Sequence, residues 1–122
     1  MLFRSYNLPD ESVSVKAIVK DETIWLTQKA MAELFDVGIP AINKHLSNIY
    51  EEGELPKSST ISNLEIVQTE GNRSVRRTPD FYNLDAIISV GYRVNSRRAT
   101  QFRIWATSVL REYISVDRKS VV

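Results

Sequence analysis

The chain has no cysteine, so neither a disulfide framework nor a thiolate metal site is open to it. It has a single histidine, His45, and any metal site would therefore be built almost wholly from oxygen. No apolar run approaches the length that crosses a bilayer. The opening MLFRSYNLPDESVSV lacks the apolar centre of a secretory leader, which makes the cytoplasm the expected location. One-sided charge is also missing. The net charge of +1 does not by itself announce a nucleic-acid partner. Repeats and low-complexity stretches are absent. What remains is a 122-residue chain, 43% hydrophobic and 25% charged, which suits one ordinary domain able to bury a core without staples.

The distribution of charge says more than its sum. Residues 1–56 hold five Lys/Arg against nine Asp/Glu, and residues 57–122 hold eleven against six. Such asymmetry can orient a domain toward an anionic partner. The plainer alternative is two solvated faces of unequal charge.

Residues 1–12 read as a flexible arm, broken by Pro9, Asp10 and Glu11. Val13–Val19 alternates as a strand, with Val13, Val15 and Ala17 on one face. Asp21-Glu22 turns the chain, and Thr23–Leu26 returns as a second strand. Thr27 is a suitable N-cap for a helix starting at Gln28, with Ala30, Met31, Leu34 and Phe35 on its apolar face. Asp36-Val37-Gly38 interrupts it. Pro40 suits the first turn of another helix, whose Ile42, Leu46 and Ile49 share a face. A connection over 54–63 leads to a hairpin, Leu64–Thr69 and Ser74–Thr78, around Glu70-Gly71-Asn72-Arg73 and ended by Pro79. Asn83 caps a helix over Leu84–Arg93, with Leu84, Ile87, Ile88 and Tyr92 along one side. After Asn95-Ser96 a longer helix runs from Arg97 to Ile114, striped by Phe102, Trp105, Ala106, Val109, Leu110 and Tyr113. The tail Val116–Val122 is expected to be unstructured and to mark a truncation point.

Residues 26–50, LTQKAMAELFDVGIPAINKHLSNIY, fit a helix-turn-helix position by position. Ala32 is small where two helices approach. Asp36 holds the turn position that needs positive φ. Val37 tucks between the helices. The outward side of the second helix is then Ile39, Asn43, Lys44 and Ser47. Asn43 can pair with an adenine edge, Lys44 can reach a guanine or a phosphate, and Ile39 can meet a thymine methyl. His45 falls beside the packing face, as a structural residue or a phosphate contact. The alternative is a tight helical hairpin that never touches DNA, favoured by the lone cation on the helix and by Glu51 and Glu52 after it.

The second hairpin carries Arg73, Arg76 and Arg77, which in a winged helix-turn-helix would grip phosphate or enter the minor groove. Its plain reading is an exposed basic hairpin serving solubility. Arg97 and Arg98 stand in a first helical turn, where the dipole disfavours cations; this points to an outside anion or to an internal carboxylate.

Two blocks go beyond a generic motif: TIWLTQKAMAELFDVGIPAINKHLSNIYEEGEL over 23–55, and YNLDAIISVGYRVNSRRATQFRIWATSVLREYI over 82–114. In this order they resemble the virulence-associated RhuM family, over roughly residues 13–115. The resemblance implies a bacterial module of phage or mobile-element ancestry, similar to phage antirepressor-type N-terminal domains and in some members placed ahead of a Fic/Doc-type domain. A Fic-type motif is missing here, since His45 is followed by LSNIYEEG. Members of the family continue well beyond the second block.

These readings converge on one α+β domain: a winged helix-turn-helix-like fold with an N-terminal hairpin, a basic hairpin wing and two C-terminal helices, spanning 13–115. The expected function is duplex DNA binding, with a homodimer and a protein partner also left open. The competing function is a protein-interaction module acting on a repressor or an effector. An enzyme is not expected: no nucleophile–base pair can be built, and no cofactor or metal is called for.

Overall fold

The computed structural model describes residues 2–8 and 14–119, and the side chains of 3–8 and 14–112. Seven strands and five helices follow one another along this part of the chain. They are β1 (Leu2–Asn7), β2 (Ser14–Lys20), β3 (Thr23–Thr27), α1 (Gln28–Phe35), α2 (Ile39–Glu51), α3 (Lys57–Thr60), β4 (Ile61–Asn63), β5 (Ile66–Glu70), β6 (Arg73–Arg77), β7 (Asp80–Tyr82), α4 (Leu84–Arg93) and α5 (Arg97–Lys119). The result is a mixed α/β domain with two sheets, one of five strands in the order β1-β2-β3-β7-β4, the other the β5-β6 pair.

The loop between β2 and β3 has only Asp21 and Glu22, at φ 53° and 60°. Positive φ at both positions matches the right-handed twist of the flanking strands. Because side chains alternate along a strand, the sheet has two apolar faces. Tyr6, Val15, Ala17, Val19, Ile24, Leu26 and Tyr82 pack into the main core with the helices. Ile18, Trp25 and Phe81 form a smaller cluster on the other face, flanked by Leu64 and Ile66. The Trp25 indole donates to the Lys20 carbonyl at 3.0 Å, so its one polar atom is satisfied.

The N-terminal segment departs from expectation. Residues 2–7 are not a loose arm but a strand paired antiparallel with β2, Leu2 opposite Val19 through Asn7 opposite Ser14. Tyr6 explains why. Its ring sits edge-on to Phe102 at 5.3 Å and against Trp105 at 5.0 Å, so burying it fastens β1 to α5. Pro9, Asp10, Glu11 and Val13 lie outside the described residues.

Local chemistry sets the helix ends. Thr27 accepts the Ala30 N–H at 3.1 Å and starts α1. Asp36 takes the left-handed conformation (φ 55°, ψ 49°) and stops it. Pro40 lies in the first turn of α2. Asn83 accepts the Ala86 N–H at 3.1 Å and starts α4. The buried side of α4 is Ala86, Ile87, Val90 and Gly91; Tyr92, expected on that side, is 65% exposed. Gly91 is needed there: a Cβ at this position would collide with the Cβ of Ala99 and lie 3.2 Å from the Phe35 ring. On α5, Phe102, Ala106 and Val109 are buried and Trp105 and Leu110 half-buried; the Tyr113 side chain lies outside the described residues. The helix runs on to Lys119, past the expected unstructured boundary at Val116, while residues 120–122 lie outside the described part.

The expected connection over 54–63 contains α3 and β4, and β7 follows Pro79. β4 pairs with β7 (Ile61 opposite Tyr82) and β5 with β6 (Ile66 opposite Arg77) in one register, with no residue inserted on either side. The two pairs are one long hairpin. Its base belongs to the large sheet and its arm projects beyond it. The pairing is interrupted beside Pro79, which has no N–H to donate. The arm closes on Gly71-Asn72, with Gly71 at φ +63°, a tighter loop than the four residues expected.

Candidate nucleic-acid interface

Burial of Ile42, Leu46 and Ile49 fixes the rotation of α2. It leaves Ile39, Asn43, Lys44 and Ser47 exposed together, Ile39 at 45%. His45 is half-buried beside them. Asn43 and Ser47 line an open cleft of about 380 Å³ between α2 and the base of the hairpin. Across from them stand Gln28, Lys57, Asp80 and Tyr82. Gln28 donates to the Tyr82 hydroxyl at 3.0 Å, and the Asn43 amide reaches Gln28 Oε1 at 3.5 Å. These bonds link the outward face of α2 to β7. The cleft also holds the carboxylates of Glu51 and Asp80, so it is poor ground for phosphate. Asp80 Oδ1 accepts from Asn63 at 2.9 Å. Tyr50, also in the cleft, has its phenol pushed above its usual pKa by burial, more than the hydrogen bond to Thr60 draws it down.

On the other side of Gln28 the next residues face a second cleft. Thr27 and Lys29 line it with Gln68, Arg76, Arg77 and Thr78 of the hairpin, over about 550 Å³. The start of α1 therefore contributes to both clefts, Gln28 to the first and Thr27 and Lys29 to the second.

The basic residues divide. Arg73 is exposed near the tip of the arm. Arg76 is exposed, with Glu65 at 3.7 Å. Arg77, expected as a free backbone grip, is already held: its Nε and Nη2 donate to Glu70 at 2.8–3.0 Å. Arg98, expected as an anion contact, is turned inward and donates from Nη1 to the Leu34 carbonyl at 3.3 Å, near the end of α1. Arg97 is exposed on α5 and lines neither cleft. Sequence reading missed Lys29, which shares the cleft with hairpin residues far along the chain, Gln68 and Arg76 among them. Arg93 ties the end of α2 to α4 through Glu52 at 2.6 Å and Glu54 at 3.2 Å.

Among the described residues no group of three or more His, Cys, Asp or Glu is placed to hold a metal, and no helix is long and apolar enough to cross a membrane. The model of the Virulence protein RhuM family matches residues 59–118, so a RhuM-family domain is present there, from α3 through nearly all of α5. The first of the two blocks, residues 23–55, lies outside that match. No curated protein and no solved structure matches the chain.

Proposed function

With a RhuM-family domain over residues 59–118 as its premise, we propose that the chain is a duplex-DNA-binding module of helix-turn-helix type, with the hairpin arm as its wing. One observation carries the reading: the start of α1 lines both the cleft beside the exposed side of α2 and the cleft beside the basic arm. In this reading Asn43, Lys44 and Ser47 meet base edges in the major groove, with Ile39 against a thymine methyl. Arg73 and Arg76 meet the backbone, Arg77 joins them once Glu70 lets go, and Arg97 serves only if the duplex bends toward α5. Phage antirepressor kinship and a mobile-element origin belong to the same proposal. So do a cytoplasmic location and a homodimer on a double half-site.

Glu51 and Asp80 in the α2 cleft favour a second reading, in which a basic segment of a partner protein docks there. Fluorescence anisotropy of a labelled duplex across several salt concentrations separates the two. The DNA reading expects binding with a log–log salt slope of about −3 or steeper, because each neutralised phosphate contributes about −0.9. Lys44→Ala and Arg76→Ala should weaken binding and flatten the slope, whereas a partner held by Glu51 and Asp80 would be indifferent to both. A folded sample that fails to bind at low salt overturns the DNA reading.

A further inference from the structure

We infer that the cleft between the start of α1 and the hairpin arm is a phosphate-binding site, and that Lys29 is its central cation. Three cations, Lys29, Arg76 and Arg77, line it together with the hydroxyls of Thr27 and Thr78 and the amide of Gln68, and no carboxylate does. The α2 cleft, by contrast, holds two carboxylates. An anion near this surface is therefore drawn to the arm side.

The acids that pair with the two arginines stand outside the cleft. Glu70 takes Nε and Nη2 of Arg77, an arrangement that leaves the Nη1 edge for another acceptor. Glu65 lies 3.7 Å from Arg76, with both side chains more than half exposed. Exposed pairs are screened by solvent, so a phosphate oxygen can compete with both acids, more easily with Glu65 than with the bidentate Glu70. Thr27 Oγ1 accepts the Ala30 N–H, which leaves its own O–H to donate. The first turn of α1, whose cap Thr27 and whose Lys29 line the cleft, has no acidic residue. Planar guanidinium groups beside an ammonium and hydroxyl donors match the tetrahedral oxygens of a phosphodiester or a phosphomonoester. The duplex backbone is the source that follows from the DNA reading, on which this part of the inference rests. A free phosphoryl compound is the other source.

The test uses the full chain, with a labelled duplex and with pyrophosphate as separate probes. For the duplex, Lys29→Ala should lower affinity several-fold on unrelated sequences alike and flatten the salt slope by about 0.9. Lys29→Arg should retain both. Lys16→Ala, exposed on β2 and outside the cleft, should change neither. Lys29 is exposed, so its loss leaves the fold intact, and an unchanged melting temperature checks this. If the native chain binds DNA but Lys29→Ala leaves the slope untouched, the cleft is not a phosphate site centred on Lys29 and the DNA reading stands. If the native chain does not bind DNA, that reading falls. Pyrophosphate then decides the cleft: shifts in the amide resonances of Lys29, Gln68 and Thr78 that vanish in Lys29→Ala keep it as a site for a free phosphoryl ligand, and no shifts overturn it.

Discussion

Glu70 decides how much charge the arm can offer. Its carboxylate binds Arg77 in a bidentate, half-exposed pair at 2.8–3.0 Å. Any phosphate approaching Arg77 competes with it. Glu70→Gln keeps the shape of the side chain and removes the charge. On the DNA reading this variant should bind duplex more tightly than the native chain, with a salt slope steeper by about 0.9. Parallel anisotropy titrations check this, and equal slopes would mean that Arg77 does not meet phosphate. Arg98 shows the reverse case, in which a cation that looked available from the sequence serves a carbonyl at the end of α1. At this scale the sequence reveals residue types and local caps. It does not reveal which acid a long cation will find, because Glu70 and Arg77 meet through hairpin geometry and Arg98 and Leu34 through packing across 64 positions.

The legible elements are those closed by their own neighbours. Thr27, Asp36 and Asn83 place the ends of α1 and the start of α4 by short-range hydrogen bonds or by a left-handed residue. Strands β4 and β7 have three residues each and no periodicity to read. They exist because each finds the other and β7 also finds β3 across the sheet. β1 is similar: only its pairing with β2 and the burial of Tyr6 make LFRSYN a strand. The inner side of α4 is hidden in the sequence because Tyr92 looks like core, while Gly91, with no side chain to signal it, takes the inner position. Tyr6→Ala tests the attachment of β1. Truncating a buried aromatic costs about 3 kcal/mol or more, so the melting temperature should fall by roughly 10 °C or more. A fall of a degree or two would mean that β1 adds little to the core.

For the molecule as a whole, the acid half and the basic half meet at Arg93. Ser89 and then Arg93, by hydrogen bonding, hold the Glu54 carboxyl below its ordinary pKa of 4.5. A carboxyl depressed by folding stabilises the fold above that value and loses the contribution as pH falls below it. Denaturant melts from pH 7 down to pH 3 should show stability declining below about pH 4.5, and Arg93→Ala should shrink that decline. A slope unchanged in the variant would assign the acid sensitivity to other carboxylates. The shared register of the long hairpin has a further consequence, in time. Arm and base together behave as a zip with a built-in stop. Opening starts at Gly71-Asn72, passes through pairs that are mostly solvent-exposed, and halts where Pro79 interrupts the ladder and its carbonyl takes the Leu64 N–H at 3.4 Å. Amide protons of the arm should exchange with deuterium far sooner than those of Phe81 and Tyr82. A single common exchange rate from residue 61 to 82 would mean that the zip has no stop and opens only when the whole sheet does.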